Sequence, residues 1–147
     1  MDMPRIIERG ARNWGDKVAL ISGDRKFTFR EVDERSNELA NGLLGLGCSS
    51  RSHIGIMLSN SHQFIEMYFA KLKIGASWTA LNLRLSDEEL TWQINDSETD
   101  TLLVGQESLE RITAIRPGLK KLEHYIAVAG DADGFINYEE LISGSGS

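Results

Sequence analysis

The sequence predicts an α/β fold: an N-terminal helix and a hairpin, followed by βαβ units that form a mainly parallel sheet flanked by helices. Three observations carry this expectation. Strand-like apolar runs occur at 18–22, 54–58, 77–81, 101–104 and 125–129, and from the second onward their starts lie about 24 residues apart. Between them lie segments with helical spacing, and strands alternating with helices of about 10–15 residues are the pattern of a parallel sheet. The length, 147 residues, is that of one domain able to bury a core without covalent staples. Residues 1–147 are therefore expected to form a single α/β unit, with the Ser/Gly stretch 143–147 as a flexible tail.

Each element has a local cause. Ile6, Ile7 and Ala11 suggest a short opening helix. VALISGDRKFTF then reads as two strands around Gly23-Asp24, both turn-forming residues. Thr28 and Glu31 have capping-box spacing, and behind them Val32, Leu39, Ala40, Leu43 and Leu44 keep the three-and-four spacing of a buried face. Gly45 and Gly47 end that helix. Asn60 or Ser61 caps the next, where Phe64, Met67, Tyr68 and Leu72 form one stripe and Ile65 and Phe69 a second, so it is covered on more than one side. Ser86 and Glu89 repeat the capping box, with Asp87 and Glu88 favourable in the first turn. Leu109, Ile112 and Ile115 mark another helix, stopped by Arg116-Pro117-Gly118. A polar loop and a short helix at 138–142 follow.

Composition narrows the function classes. Sixteen basic against twenty-two acidic residues leave a net charge of −6, which argues against a broad nucleic-acid surface while leaving room for a local basic site. The single cysteine excludes an intramolecular disulfide and fits a reducing compartment. No apolar run approaches the roughly 20 residues of a membrane span, and the N-terminus lacks the apolar core of a signal peptide. A cytoplasmic protein is the expectation.

In open α/β sheets ligands bind beyond the carboxyl ends of the strands. That rule nominates 59–61, 82–84, 105–106 and 130–131. Arg84 is a cation between a strand end and a helix N-cap, where a phosphate can dock. The alternative is that Asn82 makes a turn and Arg84 pairs with a nearby carboxylate. Neither G-x-G-x-x-G nor G-x-x-x-x-G-K-[ST] occurs, and GLLGLG (42–47) ends a helix instead of opening one. His53, His62 and His124 lack metal-ligand spacing and read as surface or edge histidines. Cys48, in a turn with no histidine nearby in sequence, reads as an incidental thiol. Residues 131–140 resemble the second half of a calcium loop, with Asp131, Asp133 and Glu140 at the third, fifth and twelfth positions. The first position would be Ala129, which offers no side-chain oxygen, and a strand-like run precedes it.

The order of segments resembles the opening of the acyl-adenylate-forming superfamily, which includes acyl-CoA synthetases, non-ribosomal adenylation domains and luciferases. The likeness is carried by VALISGDRKFTFREVDERSNELANGLLGLG (18–47), IGIMLSNSHQFIEMYFAKLKIGA (54–76) and ALNLRLSDEELTWQINDSETDTLLV (80–104). It extends to about residue 128. Two departures stand out. Leu83 lies between Asn82 and Arg84 where proline is usual, and Ser77-Trp78-Thr79 replaces a run of small or β-branched residues. Trp78 either fills core volume or trims a neighbouring pocket.

The resemblance implies an ATP-dependent ligase. A carboxylate attacks the α-phosphate of ATP to give acyl-adenylate and pyrophosphate, and a thiol, usually that of CoA, then takes the acyl group. ATP, Mg2+ and CoA are the implied cofactors, and a carboxylic acid the implied substrate. The phosphate-cradling loop, the ribose-binding aspartate and the lysine of the small C-terminal domain lie downstream of the matched region in the family. The chain therefore resembles an N-terminal part of such an enzyme, expected to be inactive by itself and to self-associate through surfaces that the rest of the protein covers. No catalytic or metal-binding residue is carried over. In some CoA ligases the arginine at the position of Arg84 contacts a CoA phosphate, so Arg84 is the one candidate cofactor-binding residue. A standalone α/β interaction module, or a calcium element at 131–140, are the competing readings.

Overall fold

The computed structural model describes residues 4–144. Helix α1 (Pro4–Trp14) leads into an antiparallel hairpin, β1 (Val18–Ser22) and β2 (Arg25–Thr28), turned at Gly23 with φ 60°. Then come α2 (Phe29–Gly45), β3 (His53–Met57), α3 (His62–Ile74), β4 (Ser77–Ala80), α4 (Asp87–Asp96), β5 (Thr101–Val104), α5 (Leu109–Ile115), β6 (His124–Ala127), β7 (Ile136–Asn137) and α6 (Tyr138–Gly144). The five strands from β3 onward form one sheet in the order β4-β3-β5-β6-β7, with every pair parallel.

The helix starts are set by side-chain caps. Thr28 Oγ1 accepts from Glu31 N at 3.2 Å while Glu31 Oε2 accepts from Thr28 N at 2.8 Å. Ser86 and Glu89 make the same reciprocal pair at 3.2 and 2.9 Å. Each box satisfies two backbone donors that a helix start leaves without partners. Of the two cap candidates for α3, Ser61 is the one used, and Gly75 closes that helix in the left-handed region at φ 80°.

Period-two alternation in the central strands feeds two cores. Ile54, Ile56, Leu103 and Ile126 point to one face, where Leu39 and Leu43 of α2, Met67 and Ala70 of α3, and Tyr138 and Ile142 of α6 cover them. Met57, Leu102, Val104, Tyr125 and Ala127 point to the other face, under Leu90 and Ile94 of α4 and Ile112 of α5. A third, smaller cluster of Ile7, Phe27 and Val32 lies outside the α2–α3 layer and seats α1 and the hairpin on it.

Four expectations change. Leu44 stands exposed, because residues 39, 40 and 43 already complete the stripe of α2 that meets the sheet. His62 is buried, not peripheral: Phe27 stacks on its ring at 4.6 Å and its Nδ1 lies 2.8 Å from Glu66 Oε2. The polar loop after β6 contains the two-residue strand β7, which pairs with Ile126 and Ala127. Ser143 and Gly144 finish α6, so only 145–147 of the expected tail remain, and those lie outside the described residues. Trp78 fills volume: its ring meets Phe64 and Tyr68 edge-on at 5.7 and 5.5 Å, between α3 and the edge strand β4.

Candidate functional site

The direction of the connections reverses at β3. Its crossover through α3 reaches β4 on one side, and the next crossover, through α4, returns to β5 on the other. Helices leaving β3 and β5 therefore lie on opposite faces of the sheet. A crevice at the carboxyl ends of two such strands is where open α/β sheets place ligands.

Three of the four nominated segments meet there. Gly105 N donates to Met57 O at 2.9 Å, and Ser59 Oγ donates to Glu107 Oε1 at 3.4 Å across the crevice. Gly130, at φ 79°, brings its backbone against the side chain of Gln106, whose Cγ would lie 3.4 Å from an added Cβ. Gly105 is held close in the same way, since a Cβ there would come within 2.8 Å of the Glu107 carboxylate. Beside this crevice, Ser22 Oγ accepts from His62 N at 3.2 Å and ties the hairpin to the start of α3. A cavity of about 260 Å³, lined by Ile21, Ser22, Asn60, Ser61 and Phe64 among others, opens at that junction.

The fourth segment, 82–84, lies beyond β4. Asn82 Oδ1 accepts from Arg84 N at 2.9 Å, so Asn82 does shape the turn. Arg84 itself is exposed and forms no ion pair with the described residues. The nearby carboxylate, Asp87, is taken by Arg111, whose Nε lies 2.6 Å from it. Arg111 also donates to Leu83 O at 3.0 Å and to Leu85 O. One guanidinium thus fixes the carbonyls on both sides of Arg84. Arg111 has no sequence signal, because those carbonyls lie 28 and 26 residues away.

The second feature that the sequence conceals is a buried charge cluster. Glu66 is fully buried and accepts from Arg35 Nε at 2.8 Å, Arg35 Nη2 at 3.1 Å and Tyr138 Oη at 2.7 Å, with His62 Nδ1 2.8 Å away. Arg35 also pairs with Glu139 at 2.9 Å. Burial works against the Arg35 charge, but the two carboxylates outweigh it and raise its pKa. Burial, reinforced by the Glu66 carboxylate, pushes the Tyr138 hydroxyl well above the ordinary tyrosine range. The cluster joins α2, α3 and α6 beneath the hairpin.

Cys48 is buried, lies 3.4 Å from Thr101 Oγ1, and has its thiol pushed up by burial, which disfavours the thiolate a nucleophile needs. Asp131 and Asp133 are exposed in the turn between β6 and β7. Among the described residues no three His, Cys, Asp or Glu side chains converge to hold a metal ion. No helix among the described residues is long and apolar enough to cross a membrane.

A parallel sheet covered on both faces, with a crevice at its switch point, is the framework of a ligand-binding α/β domain. The particular class follows from comparison with known proteins: the AMP-binding enzyme family profile matches residues 7–146, and the chain belongs to that family. It is 31% identical over 142 residues to a long-chain-fatty-acid–CoA ligase of Thermus thermophilus, covering 93% of this chain and 26% of that ligase. It is 28% identical to the medium-chain acyl-CoA ligase Mig of Mycobacterium avium, over 96% of this chain and 29% of that protein. Among solved structures, an anthranilate–CoA ligase in complex with anthranoyl-AMP superposes with a TM-score of 0.88 at 30% identity, over 96% of this chain and 27% of that one. The chain therefore spans about a quarter of the length of these relatives.

Proposed function

We propose that this chain is the N-terminal portion of an ATP-dependent acyl-CoA ligase that acts in the cytoplasm on a carboxylic acid. The whole enzyme forms an acyl-adenylate with release of pyrophosphate and then passes the acyl group to the thiol of CoA. The family match over 7–146, in a chain a quarter the length of its relatives, carries this reading. The chain supplies scaffold and one wall of the site. We assign ATP and Mg2+ to the rest of the enzyme, a reading supported by the lack of either Gly-rich phosphate-loop motif in this sequence. By itself it does not adenylate. Within this wall Arg84 is the group suited to a CoA phosphate: it is exposed, unpaired among the described residues, and carried on a turn that Asn82 and Arg111 hold rigid.

ATP–pyrophosphate exchange over a panel of carboxylic acids tests the reading. The longer ligase that contains this segment should exchange, and the 147-residue chain should not. Exchange by neither would remove the proposed activity.

A further inference from the structure

We propose that the outer face formed by α1 and the β1–β2 hairpin is a docking surface for an anionic lipid bilayer, on which the protein rests peripherally. Two independent asymmetries meet on this face.

The first is charge. Residues 4–30 carry seven basic and three acidic side chains in a chain whose net charge is −6. Of the three acids, Glu8 lies 3.4 Å from Lys73, which Asp33 also contacts at 3.1 Å, and Asp16 pairs with Arg30, one of the seven cations. Arg5, Arg9 and Arg12 follow one another at i, i+4 and i+7, so they form a ridge along α1. All three are exposed, on the side of the helix opposite buried Ile7.

The second is apolar exposure. Of the six large hydrophobic side chains exposed among the described residues, four lie in this segment: Ile6, Trp14, Val18 and Ile21. Ile21, at 65% exposure, stands opposite Lys26 across the hairpin.

The fold makes these one surface. Ile7 of α1 and Leu20 and Phe27 of the hairpin pack into the same small cluster on the α2–α3 layer. Ile21 and Lys26 alternate with Leu20 and Phe27 along the hairpin, and Arg9 and Arg12 lie across α1 from Ile7, so both sets point away from that layer, while Arg5 borders α2 and α3. Basic residues interleaved with exposed aliphatic groups and a tryptophan are the composition of an interfacial surface. A nucleic acid would match the charge but leave Ile21 and Val18 without a role, so the bilayer is the better fit.

Flotation of the 147-residue chain with phosphatidylcholine vesicles, with and without about thirty percent phosphatidylserine, tests this. Binding should require the anionic lipid and fall with salt, because exposed charges are screened. Each basic residue near such a surface is worth about fivefold in partitioning, so the double variant Arg9→Gln, Arg12→Gln should bind roughly 25-fold more weakly. Ile21→Ser should also weaken binding, and far-UV circular dichroism should show both variants folded. Failure to float with anionic vesicles overturns the proposal. So does equal flotation with neutral vesicles, insensitivity to both sets of substitutions, or binding to a duplex oligonucleotide in place of vesicles.

Discussion

Removing the carboxylate of Glu66 probes the cluster that fastens α6 to α2 and α3. In Glu66→Ala the Arg35 guanidinium, 19% exposed at the side chain, keeps only its pair with Glu139. Tyr138 Oη and His62 Nδ1 lose the acceptor that each contacts in the interior. Breaking one side of a buried ion pair costs about 3–5 kcal/mol, because the remaining charge stays desolvated. Tyr138→Phe removes a single hydrogen bond to a charged acceptor and leaves both Arg35 contacts intact, a loss of about 1.5–3 kcal/mol. For a chain of this size each 1 kcal/mol lowers Tm by roughly 2–4 °C. Glu66→Ala should therefore melt about 6–20 °C below the parent chain, and Tyr138→Phe about 3–12 °C below it. Because both changes act on one hydrogen-bonded group, the double variant should be less destabilised than the sum. Urea unfolding followed by far-UV circular dichroism measures all three. A Glu66→Ala chain within about 1 kcal/mol of the parent would refute the assignment of this cluster as the tie between the helices.

Further outcomes follow from the same contacts. Tyr138 is held neutral by burial and by Glu66, so its pKa in the fold lies above its unfolded value. The stability it contributes is complete below the ordinary tyrosine pKa of about 10 and is lost as pH rises above it. The urea midpoint should fall above that pH, and Tyr138→Phe should flatten the fall; an equal decline in both chains would contradict the assignment. Ser86→Ala deletes one half of the α4 capping box and should cost about 1 kcal/mol, whereas Ser86→Asp should cost much less, as read from urea midpoints. In the longer ligase, Arg84→Ala should raise the KM for CoA while leaving ATP–pyrophosphate exchange unchanged. An unaltered CoA KM would remove Arg84 from the phosphate site.

What was legible in the sequence is what depends on near neighbours. The two capping boxes span three residues each and appear in the structure with both reciprocal bonds. Strands 18–22 and 101–104 match residue for residue, because their ends are marked by turn residues or by the limits of an apolar run. The site was legible in part. Strand ends mark the segments 59–61, 105–106 and 130–131 that converge at the β3–β5 crevice, while 82–84 lies on a separate turn beyond β4. Arg111 and the Glu66 cluster carry no such signal, because their partners are set by packing: Arg35 reaches Glu66 across 31 positions and Tyr138 reaches it across 72. His62 read as peripheral for the same reason, since nothing near it in sequence signals the Phe27 ring that covers it. Strand β7 is only two residues long and carries no period of its own, so its place in the sheet comes from its pairing with β6.

ATP–pyrophosphate exchange tests the central claim most directly, run in parallel on the 147-residue chain and on the proposed longer ligase, with aliphatic and aromatic carboxylic acids. Acid-dependent exchange by the longer protein and none by this chain is the predicted result. Exchange by the 147-residue chain alone would contradict it, since a complete adenylating site would then lie within these residues.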